Sequence, residues 1–524
     1  MKKRTVLLSA LLLSSGLVSC DFLDIDTPGI VNKDKMFENE QGFIDAMNGV
    51  YASLADGDLY GEQLSFGFVD EIAQLYYNDY EASETVLNRT YDLKYRDEDV
   101  RAKVDAVWSR GYNVIASVNS VLDNAAGRDY AILPRIRGEA LAIRAFVHFD
   151  LLRLFAPNIG RGDEKGIPYV EHFSIDPVRR GTVREVYAHI VGDLTEAHEL
   201  LRQAGPVAGR TPEELYVTQY AAAALLARVS NWGGDRETAE RYALEALKGG
   251  FSFIREEQVK NLFMGYTART ECIWGLHAPK MYLDIRSRLY PTRLTETFNM
   301  VRDNYQTIFR VSSFTSVNND YRYQAYFTRT KWEHSVVTLT KLYDKNYDEE
   351  QTVPSGRTPG INLVRLPELF YILAESVYDR DPAAALEYLN TVVTARGLHP
   401  AARSRGHRHP REVPRRADQR DHQGVLGRGA DLFHQQALLA GDGGRERQAS
   451  RGQRRDLCAA AAGKRKFGRH KLTTMKTTRT IRLFFAAAAL LAAATRRVFP
   501  IRATTGSILP PIRSTSLSVR SPFR

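Results

Sequence analysis

Cysteine is scarce in this chain: 524 residues contain three, Cys20, Cys272 and Cys458. Three cannot build a disulfide framework, so the fold must rest on its packed core. No group of cysteines and histidines has the spacing of a metal site. No glycine-rich loop cradles a phosphate, and no serine sits in a nucleophile elbow. No apolar run reaches the roughly 20 residues that a membrane-spanning helix needs. Residues 401–524 contain no tyrosine and no tryptophan, although the chain has 26 and 4. The formal charge of +10 is equally lopsided. Residues 401–524 hold 27 basic and 7 acidic side chains, while the first 400 hold 45 basic and 55 acidic. The body is therefore acidic and rich in tyrosine, and a nucleic-acid reading of the high isoelectric point would rest on the tail alone.

The N-terminus reads as an address. Lys2, Lys3 and Arg4 precede an apolar run from Val6 to Val18, the layout of an export signal. The run closes on Leu17-Val18-Ser19-Cys20, a bacterial lipobox, in which residues 1–19 are removed and Cys20 receives the lipid. An ordinary secretory signal with an incidental cysteine is the other reading. Acyl chains contribute about 0.8 kcal/mol per buried CH2 and so hold a soluble domain on a membrane. Asp21, Asp24 and Asp26 come next, an acidic stretch like the surface-export signal of Bacteroidetes lipoproteins.

Helical periodicity dominates the body of the chain. From Arg135 to Leu154, Ile136, Ala140, Ile143, Val147, Leu151 and Leu154 recur at three- and four-residue steps, one face of a helix that Pro157 ends. Ala142, Ala145, Phe146 and Phe149 widen the stripe, so this helix packs on two sides. Arg137, Glu139, Arg144, Asp150 and Arg153 form a narrow polar face. Helices are also predicted over 41–54, 104–122, 217–229, 236–247, 366–378 and 382–396. Another, over 182–201, opens with Thr182 and Glu185 as a capping box. Residues 62–93 are less regular, and 160–178 form a Gly/Pro-bearing connector. Alanine-bearing helix pairs with short turns predict a mainly α, tetratricopeptide-like scaffold, without a strict 34-residue signature. From about 253 to 345 the texture changes to aromatic-rich loops with short strands, such as Cys272–Leu276 and Val336–Leu339. This is an irregular insert in the helical frame.

Taken in order, several stretches resemble the SusD/RagB family. They are Cys20-Asp-Phe-Leu-Asp24, Gly138–Phe146 running to Leu154-Phe155, and Val186–Leu194. Then come Ala222–Arg228, Asp320-Tyr-Arg322 with Thr340–Asp344, and Arg365–Glu375 leading to Leu389-Asn390 and Ala395-Arg396. The resemblance covers about residues 20–398, and the ordered set carries it rather than one motif. It implies a tetratricopeptide-like scaffold with a ligand site in the loops and no cofactor. It implies an outer-membrane, lipid-anchored and surface-exposed protein that captures a glycan, or in some members a peptide. The partner implied is a TonB-dependent SusC-like barrel. A lipid-anchored glycoside hydrolase is a further alternative.

The tail departs from that family. Where a Gly-Glu-Gly run belongs, this chain has Gly427-Arg-Gly-Ala-Asp-Leu-Phe, whose codons read one base later can encode Gly-Glu-Gly-Leu-Ile. Residues 399–524 are accordingly read as an out-of-frame tail. Met475-Lys-Thr-Thr-Arg and the apolar run after it look like the signal peptide of a downstream gene. The competing reading is a genuine basic arm.

Residue chemistry nominates the candidate sites. Asp70-Glu71 and Asp348-Glu349-Glu350 would suit glycoside hydrolysis if paired in space, with solvated surface acids as the plainer account. Asp344, Asn346 and Asp348 imitate a calcium loop but lack its sixth-position glycine and closing glutamate. His148, on the apolar helix, reads as a packed core histidine. Trp274 reads as core and Trp232 as a structural residue at a helix-pair turn. For binding, sugars stack their C–H faces on aromatic rings, and tyrosine adds a hydroxyl handle. Tyr76, Tyr77 and Tyr80 in the irregular segment, and Tyr290 and Trp332 in the insert, are the candidate ligand residues.

Overall fold

The computed structural model describes residues 36–74, 85–205, 213–261, 271–278, 299–301, 309, 319–325, 327–329, 336–339 and 360–400. The long helices succeed one another as α1 (Glu40–Leu54), α4 (Glu98–Ala125), α5 (Leu133–Phe155), α6 (Val183–Ala204), α7 (Gln219–Gly233), α8 (Arg236–Leu247), α10 (Leu366–Val377) and α11 (Pro382–Thr394). Short helices α2 (Phe68–Ile72) and α3 (Val86–Tyr91) lie between α1 and α4, and α9 (Tyr321–Ala325) lies in the insert. From α4 to α8 each long helix packs on the next. The series continues as α8 on α10 and α10 on α11.

The ends of these helices are chemically specified. Asn39 caps α1, Asp97 caps α4 and Asp235 caps α8. Thr182 and Glu185 make both bonds of the capping box, at 3.1 and 2.7 Å. Two orphan amides of α6 are satisfied in this way. Gly138 brings α5 against α6. A Cβ there would lie 2.7 Å from Leu201 Cγ, so only hydrogen fits without displacement.

Helix α5 is buried on nearly every side, and here the structure departs from the pattern. The predicted polar face is largely internal: Glu139, Arg144 and Asp150 are buried. Each has a partner instead of water. Arg135 and Tyr51 bind Glu139, Asp193 binds Arg144, and Tyr60 and Arg153 bind Asp150. Periodicity marks where polar residues fall, but a stacked array offers the polar face a neighbour as well, so charges there must be paired.

The connector at 160–178 contains β1 (Lys165–Pro168), which pairs antiparallel with β2 (Arg180–Thr182) just ahead of α6. The helical frame thus carries a small hairpin. Strand β3 (Cys272–His277) of the insert pairs antiparallel with β7 (Gly360–Arg365), which lies past the insert's predicted end, from Cys272 opposite Arg365 to His277 opposite Gly360. Strands β4 (Asn299–Val301), β5 (Phe327–Arg329) and β6 (Val336–Leu339) form a second sheet in the order β4-β6-β5. Strand β3 is buried on both faces over Cys272–Leu276, which explains its continuous apolar run.

Candidate functional site

The tyrosine-rich segment springs from an unusual base. Residues 59–68 are buried in succession although none before Phe68 is helical. A buried loop must satisfy its own backbone, and this one does so by local turns. Tyr60 N–H donates to Leu54 O at 3.2 Å, Leu64 N–H to Leu59 O at 2.7 Å, and Gly67 N–H to Glu62 O at 2.9 Å. Side chains complete the set. Ser65 Oγ donates to Tyr60 O at 2.6 Å, and Gln63 Oε1 accepts from Phe68 N–H at 3.1 Å. Tyr60 Oη donates to Asp150 Oδ2 of α5 at 2.7 Å, which ties the loop to the central helix.

Both ends of the excursion at 75–84 are fixed. Before it, Gln74 adopts φ 60 and donates through Nε2 to Tyr91 O at 3.0 Å. A side chain with that φ is strained by roughly 1–3 kcal/mol and persists only where the surroundings hold it. After it, Thr85 caps α3, accepting from Asn88 N–H at 3.2 Å. Leu93, just past α3, has φ 60 as well.

The base of the insert is fixed by charge. Glu271, immediately before β3, is fully buried between two arginines. Its Oε2 accepts from Arg365 Nη2 at 2.8 Å and Arg396 Nη2 at 2.7 Å. Its Oε1 accepts from Arg396 Nη1 at 2.6 Å and Ile254 N–H at 3.2 Å. Burial alone would raise the carboxyl pKa, but Arg396 and Arg365 outweigh it and hold Glu271 below the usual carboxylate range. Arg228 of α7 binds Glu368 of α10 and donates to Leu363 O of β7 at 3.0 Å. Strands β3 and β7 are neighbours, and these bonds tie them to α7, to α10 and to Arg396 just past α11.

The acidic pair Asp70-Glu71 is internal. Asp70 and Glu71 are both buried, and Glu71 accepts twice from Lys103 Nζ, at 2.9 and 2.6 Å. They are structural, not surface acids. Asp348-Glu349-Glu350 and the calcium-like triplet Asp344, Asn346 and Asp348 lie outside the described residues. Among the described residues no three His, Cys, Asp or Glu side chains converge on a metal position. No helix among them is long and apolar enough to cross a membrane.

His148 is fully buried, as its apolar helix predicts. Its Nε2 accepts from Val170 N–H at 3.1 Å, so Nδ1 carries the proton and faces Arg144 O at 2.9 Å. Burial depresses its pKa to about 3, with the Arg144 charge acting in the same direction. Its ring stacks on Tyr169, which stacks on His189, at centroid distances of 4.0 and 4.9 Å. Trp274 is buried against Phe146, and Trp232 packs between Phe149 and Tyr187.

Cys20, Tyr76, Tyr77, Tyr80, Tyr290 and Trp332 all lie outside the described residues. What the structure supplies is the framework that precedes and follows them in the chain: the buried turn and left-handed Gln74 ahead of residue 75, and the clamped strands β3 and β7. Sequence reasoning missed the clamp, because charges brought together from residues 271, 365 and 396 leave no local pattern. It also missed the exposed segment after β1. There the spacing of Phe173, Ile175 and Val178 was the available signal.

These features define a class: a stacked-helix scaffold that anchors loops, with no assembled catalytic constellation among the described residues. Comparison with known proteins specifies it. The model of a SusD-like family described as starch-binding and associating with the outer membrane matches residues 21–230. SusD-like protein P2 of Formosa agariphila is 26% identical over 275 residues, half of this chain. The chain spans about half the length of that curated relative. A SusD superfamily protein of Bacteroides thetaiotaomicron superposes with TM-score 0.58 at 19% identity, over 77% of this chain and 88% of its own. A SusD-like carbohydrate binding protein of Bacteroides vulgatus gives TM-score 0.58 at 19% identity, over 75% and 81%. Residues 21–230 are thus similar to the SusD-like family, and the fold is the mainly α, tetratricopeptide-like one of the SusD superfamily structures.

Proposed function

We propose that this chain is a surface lipoprotein that binds an oligosaccharide and hands it to a TonB-dependent SusC-like barrel in the outer membrane. The observation that carries this is the match to a starch-binding, outer-membrane-associated family starting at residue 21, directly after Cys20 of the lipobox. The scaffold supports it by fixing both ends of the segment that carries Tyr76, Tyr77 and Tyr80. Aromatic rings on a fixed base lose little freedom when a sugar stacks on them. In this reading Tyr290 and Trp332 add a second wall, Cys20 carries the lipid, and no cofactor takes part. The chain binds and does not hydrolyse.

A glycan array probed with the purified protein tests this, with peptides on the same array for the rival binder. Replacing Tyr76, Tyr77 and Tyr80 together by alanine lowers affinity for the bound glycan at least tenfold and leaves melting unchanged. Glycan binding that is unaffected by the triple replacement refutes the site. Turnover of the bound glycan refutes the non-enzymatic reading.

We further propose that residues 399–524 are an out-of-frame tail. Bonded structure reaches that boundary: Arg396 closes the Glu271 clamp, and Leu398 N–H bonds Val393 O at 3.2 Å. Resequencing the gene tests it, because an uninterrupted frame removes the idea.

A further inference from the structure

Five helices of the stack are followed by a glycine with a left-handed backbone: Gly127 after α4, Gly205 after α6, Gly234 after α7, Gly250 after α8 and Gly397 after α11. Glycine is the usual residue there because it has no Cβ to clash. Among the described residues, two others have a positive φ, Gln74 and Leu93, both at 60. Each stands two residues past a short helix, Gln74 after α2 and Leu93 after α3. The two exceptions thus bracket one stretch of chain. For long side chains this conformation is uncommon. Residues held in it cluster at ligand clamps and active sites, where the strain belongs to the mechanism.

Leu93 has a plain reason for its side chain, which packs on the core. Gln74 is exposed. Its side chain reaches across to α3, where Nε2 donates to Tyr91 O at 3.0 Å. A hydrogen bond in contact with water adds little net stability, and glycine at this φ would relieve the strain. Stability alone therefore favours glycine over glutamine at this position.

The bond joins two elements that are themselves fixed to α4. On the α2 side, Glu71 accepts from Lys103 Nζ at 2.9 and 2.6 Å. On the α3 side, Arg89 Nε lies 3.0 Å from Oδ2 of Asp97, the residue that caps α4. Gln74 closes this frame. Its amide sets the distance between the ends of α2 and α3, and the chain between residues 74 and 85 starts and finishes on that frame.

We infer that Gln74 is a positioning residue for ligand capture: its side chain clasps α2 to α3, and the backbone strain is retained because the clasp sets the base of the binding segment. This rests on the glycan-binding reading above and adds to it a residue outside the tyrosines.

The experiment uses the full chain and two variants. Gln74→Gly removes the strain and the clasp together. Gln74→Lys keeps a side chain of similar length, with Nζ as the donor for Tyr91 O. The probe is the oligosaccharide that the wild-type chain retains most strongly on the glycan array, titrated by calorimetry, with thermal melts beside it. Gln74→Gly melts no lower than wild type yet binds at least about fivefold more weakly, and Gln74→Lys stays within about twofold of wild type. A merely structural bond gives another pattern, in which melting temperature and affinity of the Gly variant fall together. That pattern overturns the inference, as does unchanged affinity in the Gly variant or a Lys variant as weak as the Gly one. Each of these results leaves the glycan site standing if replacement of Tyr76, Tyr77 and Tyr80 still weakens binding. A wild-type chain that retains no oligosaccharide on the array overturns both.

Discussion

Removing the Glu271 carboxylate is the sharpest perturbation of this fold. Three charges meet where no water reaches: Glu271 and Arg365 are fully buried and Arg396 nearly so. Glu271→Ala would remove the carboxylate that both buried guanidinium groups contact. Breaking a buried pair by deleting one partner costs about 3–5 kcal/mol, because the remaining charge is uncompensated. Set against total stabilities of about 5–15 kcal/mol, that is a large share. Urea unfolding monitored by circular dichroism measures the loss directly. Replacing all three side chains with apolar ones, Glu271→Leu, Arg365→Met and Arg396→Met, removes the orphaned charges together and restores most of the stability. The pH dependence carries the same signature. The depressed pKa of Glu271 contributes stability above the ordinary glutamate value, and this is lost as pH falls through the lower folded value. The reasoning is refuted if Glu271→Ala costs under about 1 kcal/mol, or if the triple variant is no more stable than the single one.

The buried neutral histidine makes an acid-side prediction of its own. With its pKa lowered from 6.5 to about 3, His148 contributes stability above pH 6.5 that declines as pH falls towards 3, by about 1.4 kcal/mol per unit. A His148→Phe series of pH-dependent melts is correspondingly flatter over that window. Thr182→Ala removes half of the capping box and lowers the unfolding free energy by about 1 kcal/mol in urea titration. Gly397 has φ +78, and a Cβ there would lie 2.3 Å from the Tyr321 ring and 2.4 Å from Asn319 O. Gly397→Ala therefore lowers the melting temperature, by more than the roughly 1 kcal/mol of a strained backbone alone.

The helical frame was legible because its signals are local. The stripe over Ile136–Leu154 places α5 at Leu133–Phe155, and Thr182 with Glu185 marks the start of α6. Predicted bounds at 236–247 coincide with α8, where Asp235 caps one end. Helix α4 runs from Glu98 to Ala125, past the predicted 104–122; Asp97 caps it seven residues before Val104, and Val100 already belongs to its buried stripe. Non-local chemistry was not legible. Nothing near Glu139 announces that Tyr51 Oη will reach it at 3.0 Å, from 88 residues away. For the candidate site, the sequence supplies the ring-bearing segments, and the structure supplies the supports at Gln74, Thr85 and Glu271.

The pairing of β3 with β7 has a consequence for how such a protein diversifies. His277 stands opposite Gly360, so the points of departure and return are only about 5 Å apart. Whatever is spliced between them sees the same doorway, and the entropy of closing it rises by only about 0.6 kcal/mol for each doubling of length. Its length is therefore nearly free, but its seat is not: Tyr321 N–H donates to Arg396 O at 3.0 Å, so any replacement has to keep or rebuild that contact with the end of the helical stack.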